Sequence, residues 1–435
     1  MPEAQSDISR MVDRRMALAR EWDELVEQVR ELEGFEEFLR PPRLETLLPA
    51  AANGPVAVIN ISRWRCDALI VTADGVQVEE LPRLSAETVA EKATDYLRVL
   101  HQVDSAAHEM YAAWQRYDNG DHGFDAVRQF TEAKQAVQEA DRDRDQTLAA
   151  VLAWLWDEIA DPVLTRLGLV SAPQPGQSWP RLWWCPTGLL TLLPLHAAGH
   201  YDEDGQASGR TVLDRVVSSY TPTLRALLEA RRPLESLPDD ERILVVALAE
   251  TPGVVPLADV IRERELLISL FAGRHTLLEG EAATWEAVRD ELPRHRWAHF
   301  SCHGGQDLAD PSQGGLLLQD RLLSIADIST GQYRGEFAFL SACMTATGGV
   351  NLPDEAITLA AALHYTGYRH VIGTLWSVYD QTAADVAEAV YHELTSTAQF
   401  EPARSAYALH DAIRGLRDNG HVPLSAWVPF THTGP

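Results

Sequence analysis

Cysteine is scarce in this chain: four in 435 residues, Cys66, Cys185, Cys302 and Cys343. So few exclude a disulfide scaffold and read as reduced thiols, so a cytoplasmic location is expected. Lysine is scarcer still. Lys92 and Lys134 are the only two among 37 basic residues, a bias that says little about function. Positive charge as a whole is short, because 64 acids leave a net charge of −27. Such an excess repels phosphates and argues against nucleic acid or an anionic membrane as partner. No apolar run reaches about 18 residues, so no membrane-spanning helix is expected. The opening MPEAQSDISR lacks the apolar stretch of a secretion signal. Repeats of roughly 20–50 residues, a P-loop, a strand-placed GxGxxG and paired CxxC motifs are also missing. No cofactor and no metal is therefore expected.

What is present is an ordinary globular composition, 46% hydrophobic and 23% charged, long enough for two to four domains. Three regions are expected. Residues 1–54 form a helical segment, with helical spacing over 8–39 and a break at Pro41-Pro42. Residues 55–174 hold a small β-meander (VAVINI, DALIV, GVQVEEL) and then long helices. The charge run EADRDRD reads as a solvated helix face. A connector, SAPQPGQSWP, leads into residues 175–435, where strands and helices alternate. Alternation of this kind predicts an α/β domain built on a mainly parallel sheet flanked by helices.

Two strand ends carry chemistry. WAHFS runs into Cys302-His303-Gly304-Gly305, and FAFLSA runs into Cys343-Met344-Thr345. The C-terminal ends of parallel strands share one side of the sheet, which makes His303 and Cys343 neighbours. A nearby imidazolium lowers a thiol pKa, and thiolate is the nucleophile. His303 would then protonate a leaving amine and activate water. Gly304 allows close backbone approach, and its N–H with that of Cys343 would make an oxyanion hole. No third member is demanded. Strand alternation turns Cys302 away from His303, as a packing residue. The same alternation splits the HxxCH set (His299, Cys302 and His303, with Cys343) between two faces, which disfavours a metal site.

The segments WAHFSCHGG, DPSQGGLLLQDRLLSIADI, FAFLSACMTATGG and LPDEAITLAAALHYTGYRHVIGTLWSVYD together resemble a CHAT domain. These are caspase-like cysteine peptidases, similar in core to caspases and separases and often joined to TPR repeats. The resemblance covers about 175–435, through RLWWCPTGLLTLLPLHAAG upstream and AWVPF downstream. It implies a caspase-like fold and peptide-bond hydrolysis, with His303 as catalytic histidine, Cys343 as nucleophile and Gly304 as the oxyanion-side glycine. Met344 departs from the polar residue frequent at that position and bears on subsite shape. GPVAVINISRWRCDALIV and the helices after it resemble what often precedes this core, and are expected to be a degenerate caspase-like half. The TPR array is missing, so 1–54 is expected to be a link to TPR-like repeats, and a TPR-containing protein is a candidate partner.

Between 296 and 380 eight acids face four arginines. Asp380, after the strand HVIGTLW, is the best-placed acid for a substrate-binding pocket, its other reading being a helix N-cap. Trp376 would line the same cleft or pack in the core. The expected substrate is a protein or peptide cut after a basic or neutral residue, with activity gated by a regulatory partner, an oligomer or a loop. Two alternatives stay open: a catalytically silent CHAT scaffold, and an acyltransferase or deamidase using the same pair.

Overall fold

The computed structural model describes residues 2–32, 35, 38–120, 122–202, 207–233, 241–252, 254–307, 309–348, 357–397, 399–419 and 422–435, except the side chains of 2–13 and 207–208. Asp354 and Glu355 of the acid count lie outside these residues. The chain divides into two compact units, Met1–Pro49 and Ala50–Pro435. The first contains helix α1 (Pro2–Arg30), which ends at Arg30 rather than at 39. Beyond it, Phe35 and Phe38 meet edge to face at 6.4 Å within turns.

The second unit holds sixteen strands among its described residues: β1 (Val56–Asn60), β2 (Asp67–Thr72), β3 (Gly75–Glu80), β4 (Arg181–Pro186), β5 (Gly199–Tyr201), β6 (Ala207–Thr211), β7 (Val217–Tyr220), β8 (Ile243–Ala247), β9 (His275–Glu279), β10 (Trp297–Ser301), β11 (Gly304–Gly305), β12 (Gly315–Leu317), β13 (Leu322–Ser324), β14 (Phe337–Ser341), β15 (His370–Thr374) and β16 (Phe430–Thr433). Eleven of them make one sheet in the order β3-β2-β1-β4-β7-β16-β15-β14-β10-β8-β9. Strands β1, β4, β7 and β16 are mutually parallel. So are β15, β14, β10, β8 and β9. The two blocks run in opposite senses and meet where β16 pairs antiparallel with β15. The expected meander β1–β2–β3 forms the antiparallel edge.

Every residue of β8, β10, β14 and β15 is buried, as a strand covered on both faces requires. The main covering helices are α2 (Ala86–Asp118), α3 (Phe124–Leu155), α4 (Val260–Leu270), α5 (Leu359–Thr366), α6 (Asp380–Leu394) and α7 (Ser405–Asp418). α2 starts at a capping box in which the Ser85 hydroxyl accepts from the Thr88 N–H at 3.1 Å. It packs along α3, and both bury an apolar stripe with α6 and α7 against one face of the sheet. α5 lies over the other face, on Ala298, Phe300, Ala338 and Leu340. No helix among the described residues is long and apolar enough to cross a membrane.

Candidate active site

β10 and β14 are parallel neighbours with Ser301 opposite Ser341. Trp297, Phe337 and Phe339 belong to the core under α6, while Ala298, Phe300, Cys302, Ala338, Leu340 and Ala342 belong to the core under α5. The pleat that sorts them delivers Ser301 and Ser341, and next His303 and Cys343, on the α4–α6 side. Cys302 is only 1% exposed on the opposite face, and burial pushes its thiol far up. His299 and Cys302 are therefore not brought together.

The two loops beyond the strands are in contact. A Cβ added to Gly304 would stand 2.6 Å from the Cys343 carbonyl oxygen and 3.3 Å from its amide nitrogen, so only glycine lets the backbones come this close. Each loop is separately fixed. The His303 carbonyl accepts from the Leu317 N–H at 2.8 Å, continuing the β11–β12 pairing. The Ala342 carbonyl accepts from the Thr374 hydroxyl at 2.7 Å, and the Ala346 N–H reaches the Thr374 carbonyl at 2.8 Å. Between these ties Met344 sits at φ 57°, in the left-handed region uncommon for a non-glycine residue. That local strain lies immediately after Cys343.

His303 is half-buried, and its Nε2 lies 2.7 Å from the Val255 carbonyl oxygen. A carbonyl only accepts, so Nε2 carries the proton and Nδ1 is the nitrogen left for other work. Cys343 is half-buried and its thiol is pushed up, chiefly by burial. Hydrogen bonds from the Ser377 side chain and the Val378 backbone oppose the shift, while the Asp104 and Asp380 carboxyls add to it. Asp104 is raised in turn by burial, against His108, His101 and its bond to Ser377. Asp380 is raised by burial and accepts the Asp259 N–H at 2.6 Å; His303 is near enough to oppose the shift. Asp380 thus caps the start of α4 rather than its own helix.

Trp376 takes the second of its two readings. Trp376 is 2% exposed, meets Tyr96 edge to face at 5.3 Å and donates from Nε1 to the Ser425 carbonyl at 3.1 Å. It is a core residue under α2. The acid excess is also largely spent away from the site. Asp320 accepts the Trp285 N–H, Asp327 belongs to a capping box with Ser324, and Glu336 pairs with Arg296.

Three contributors had no motif. The Val255 carbonyl is backbone and carries no side-chain signal. Ser377 is one polar residue in a loop. Asp104 did leave a trace, since it interrupts the apolar stripe of α2 between Leu100 and Ala107.

A family model for the CHAT domain matches residues 149–435. Among solved structures, Saccharomyces cerevisiae separase in its complex with securin is similar with a TM-score of 0.57 at 11% identity, over 90% of this chain. This chain spans 30% of that separase chain. The Arg-specific cysteine proteinase gingipain R is similar at a TM-score of 0.40 and 14% identity, covering 66% of each chain. Porphyromonas gingivalis RgpB, as a complex of its pro- and mature domains, gives 0.40 at 12% identity, over 66% of this chain and 68% of that one. The likeness in fold rests on separase. No curated protein sequence matches.

Proposed function

We infer, from the fact that this chain belongs to the CHAT domain family, that it is a caspase-like cysteine endopeptidase working through His303 and Cys343. The observation that carries this reading is the apposition of Gly304 to the Cys343 backbone, which sets the histidine loop against the cysteine loop. The Val255 carbonyl supports it further by fixing the imidazole with Nδ1 available to the thiol.

In this mechanism Cys343 gives its thiol proton to His303 Nδ1, and its Sγ attacks the scissile carbonyl carbon as the carbonyl π pair moves onto oxygen. The N–H groups of Gly304 and Cys343 would hold that oxyanion. Collapse breaks the C–N bond, and the amine leaves with a proton from His303. Water, deprotonated by the same ring, then attacks the thioester and frees the carboxylate and the thiol. A basic residue before the scissile bond suits the cleft, since the Asp104 and Asp380 carboxyls both act on Cys343. Met344 is proposed to shape the adjoining subsite.

Activity in this reading is gated by a protein partner or a loop movement. The support is the thiol itself, which burial holds in its neutral form until an imidazolium pairs with it. The raised thiol is also the one observation that favours a silent CHAT scaffold.

An electrophilic peptide probe separates the two. Labelling that is lost in Cys343→Ala and His303→Ala but kept in Cys302→Ala, together with peptide cleavage, supports the peptidase. Absence of labelling under all conditions, candidate partners included, supports the scaffold. Labelling without cleavage would point to acyl transfer or deamidation.

A further inference from the structure

Directly beneath the two loops lies a polar cluster that the mechanism does not use. Glu263, in the first turn of α4, is 2% exposed, and His299, in the middle of β10, is fully buried. Glu263 Oε2 lies 2.8 Å from His299 Nε2, and Oε1 accepts from the Ser341 hydroxyl at 2.9 Å. His299 Nε2 also faces the Ser301 hydroxyl at 2.8 Å, and Nδ1 lies 3.1 Å from the Tyr391 hydroxyl. The imidazole stacks on Phe339 at 5.3 Å. An acid and an imidazole in an aromatic core are a costly choice where only stability is at stake, because apolar residues of similar volume commonly serve as well.

The placement of the cluster gives it a use. Ser301 and Ser341 are register partners and the last residues of their strands. His303 and Cys343 follow each of them by two positions. One carboxyl group therefore holds the cysteine strand by a hydrogen bond from Ser341 and meets the histidine strand in a close contact with His299, whose Nε2 is itself bonded to Ser301. It also anchors α4, and with it the loop between β8 and α4. That loop bonds Leu257 N–H to the Ala249 carbonyl at 2.8 Å, gives the Asp259 N–H to Asp380, and presents the Val255 carbonyl to His303.

We propose that Glu263 is a positioning residue for the Cys343–His303 pair, fastening both strand ends and the His303-holding loop to one buried carboxyl group. Ser341 is its hydrogen-bonded arm and His299 its close contact. The role rests on the peptidase reading of the pair but concerns different atoms.

The test is the rate at which iodoacetamide alkylates Cys343 in the full chain, followed by peptide mapping across pH 5 to 10 (roughly the span of His and thiol titration), with Tm measured on the same samples. Variants are His303→Ala, Glu263→Leu, Glu263→Gln and Ser341→Ala. In the wild type the rate should depend on His303. Glu263→Leu, which leaves His299 and Ser341 buried without their partner, should lower Tm and lose about tenfold or more of that rate, and its pH profile should move toward that of His303→Ala. Glu263→Gln, which keeps the shape and a hydrogen bond, should recover most of it. Ser341→Ala should fall severalfold, with Tm lowered by no more than a few degrees. A His303-dependent wild type with Ser341→Ala at the wild-type rate overturns the positioning role alone, even where Glu263→Leu does not fold. A wild type indifferent to His303→Ala removes the pair and this inference together.

Discussion

Replacing Gly304 with alanine probes the contact on which the functional reading stands. The added Cβ would lie 2.6 Å from the Cys343 carbonyl oxygen and 3.2 Å from Ala342 Cβ. The nearest obstruction is backbone, so no rotamer change relieves it, and the loops must part by roughly half an ångström. Neither is free to drift, since Leu317 holds the His303 carbonyl and Thr374 holds the Ala342 carbonyl. Overpacking of this kind costs about 1–3 kcal/mol. That corresponds to a Tm lower by several degrees. A shift approaching ~1 Å at reacting atoms can cost about a hundredfold in rate. Gly305→Ala is the matched control, because a Cβ there meets nothing within 4 Å. Calorimetry and the labelling rate of Cys343 should both fall in Gly304→Ala and stay put in Gly305→Ala. Wild-type Tm together with wild-type labelling in Gly304→Ala would refute the apposition.

Other outcomes follow from the same geometry. Burial holds His196 and His364 at a pKa of about 4 and His370 and His410 at about 3, against 6.5 in the unfolded chain. The unfolded chain binds the extra protons, so this stability is full above pH 6.5 and drains as pH falls toward the folded values. His196 alone accounts for about 3 kcal/mol between pH 6.5 and 4, and urea midpoints that stay flat from pH 7 to 5 would contradict it. Trp376→Ala should destabilise by about 3–5 kcal/mol in denaturant titration, since it empties a core site beside Tyr96. Asp380→Asn removes a charge that raises the Cys343 thiol; its alkylation midpoint should move to lower pH, and any preference for Arg or Lys in a peptide library should weaken. Dominant wild-type cleavage after Asp or Glu would defeat the acidic-cleft idea.

The fold was legible where apolar runs are dense. ILVVA, WAHFS, FAFLS and HVIGT are strands for the same reason that they stand out in the sequence: covered on both faces, they are mostly apolar, with His299, Ser301, Ser341, His370 and Thr374 as buried polar exceptions. The strand Phe430–Thr433 was not legible. Thr431, His432 and Thr433 are buried through hydrogen bonds rather than hydropathy, with His432 reaching Ser219, Ser405 and His370. Within the candidate site, the strand-end placement of His303, Gly304 and Cys343 was readable because they follow such runs directly. Asp104 and Val255 were not, because one is delivered by a helix from an earlier stretch of chain and the other acts through its backbone. Trp376 stayed between two readings for a related reason: its place at a strand end does not say whether the ring turns outward or back under α2.

The strand that joins the two parallel blocks is also the last of the sheet in chain order. β16 lies between β7 and β15, touching the upstream block through Thr433 and the downstream block from Val371 to Thr374. During synthesis, then, every other strand emerges from the ribosome before the piece that closes the sheet. Until residues 430–433 appear, the nascent chain carries two open edges, at β7 and at β15, each a template for wrong pairing. Completion of the fold is tied to completion of this stretch of translation. The β10 and β14 ends therefore wait in an unfinished sheet until β16 closes it between β7 and β15.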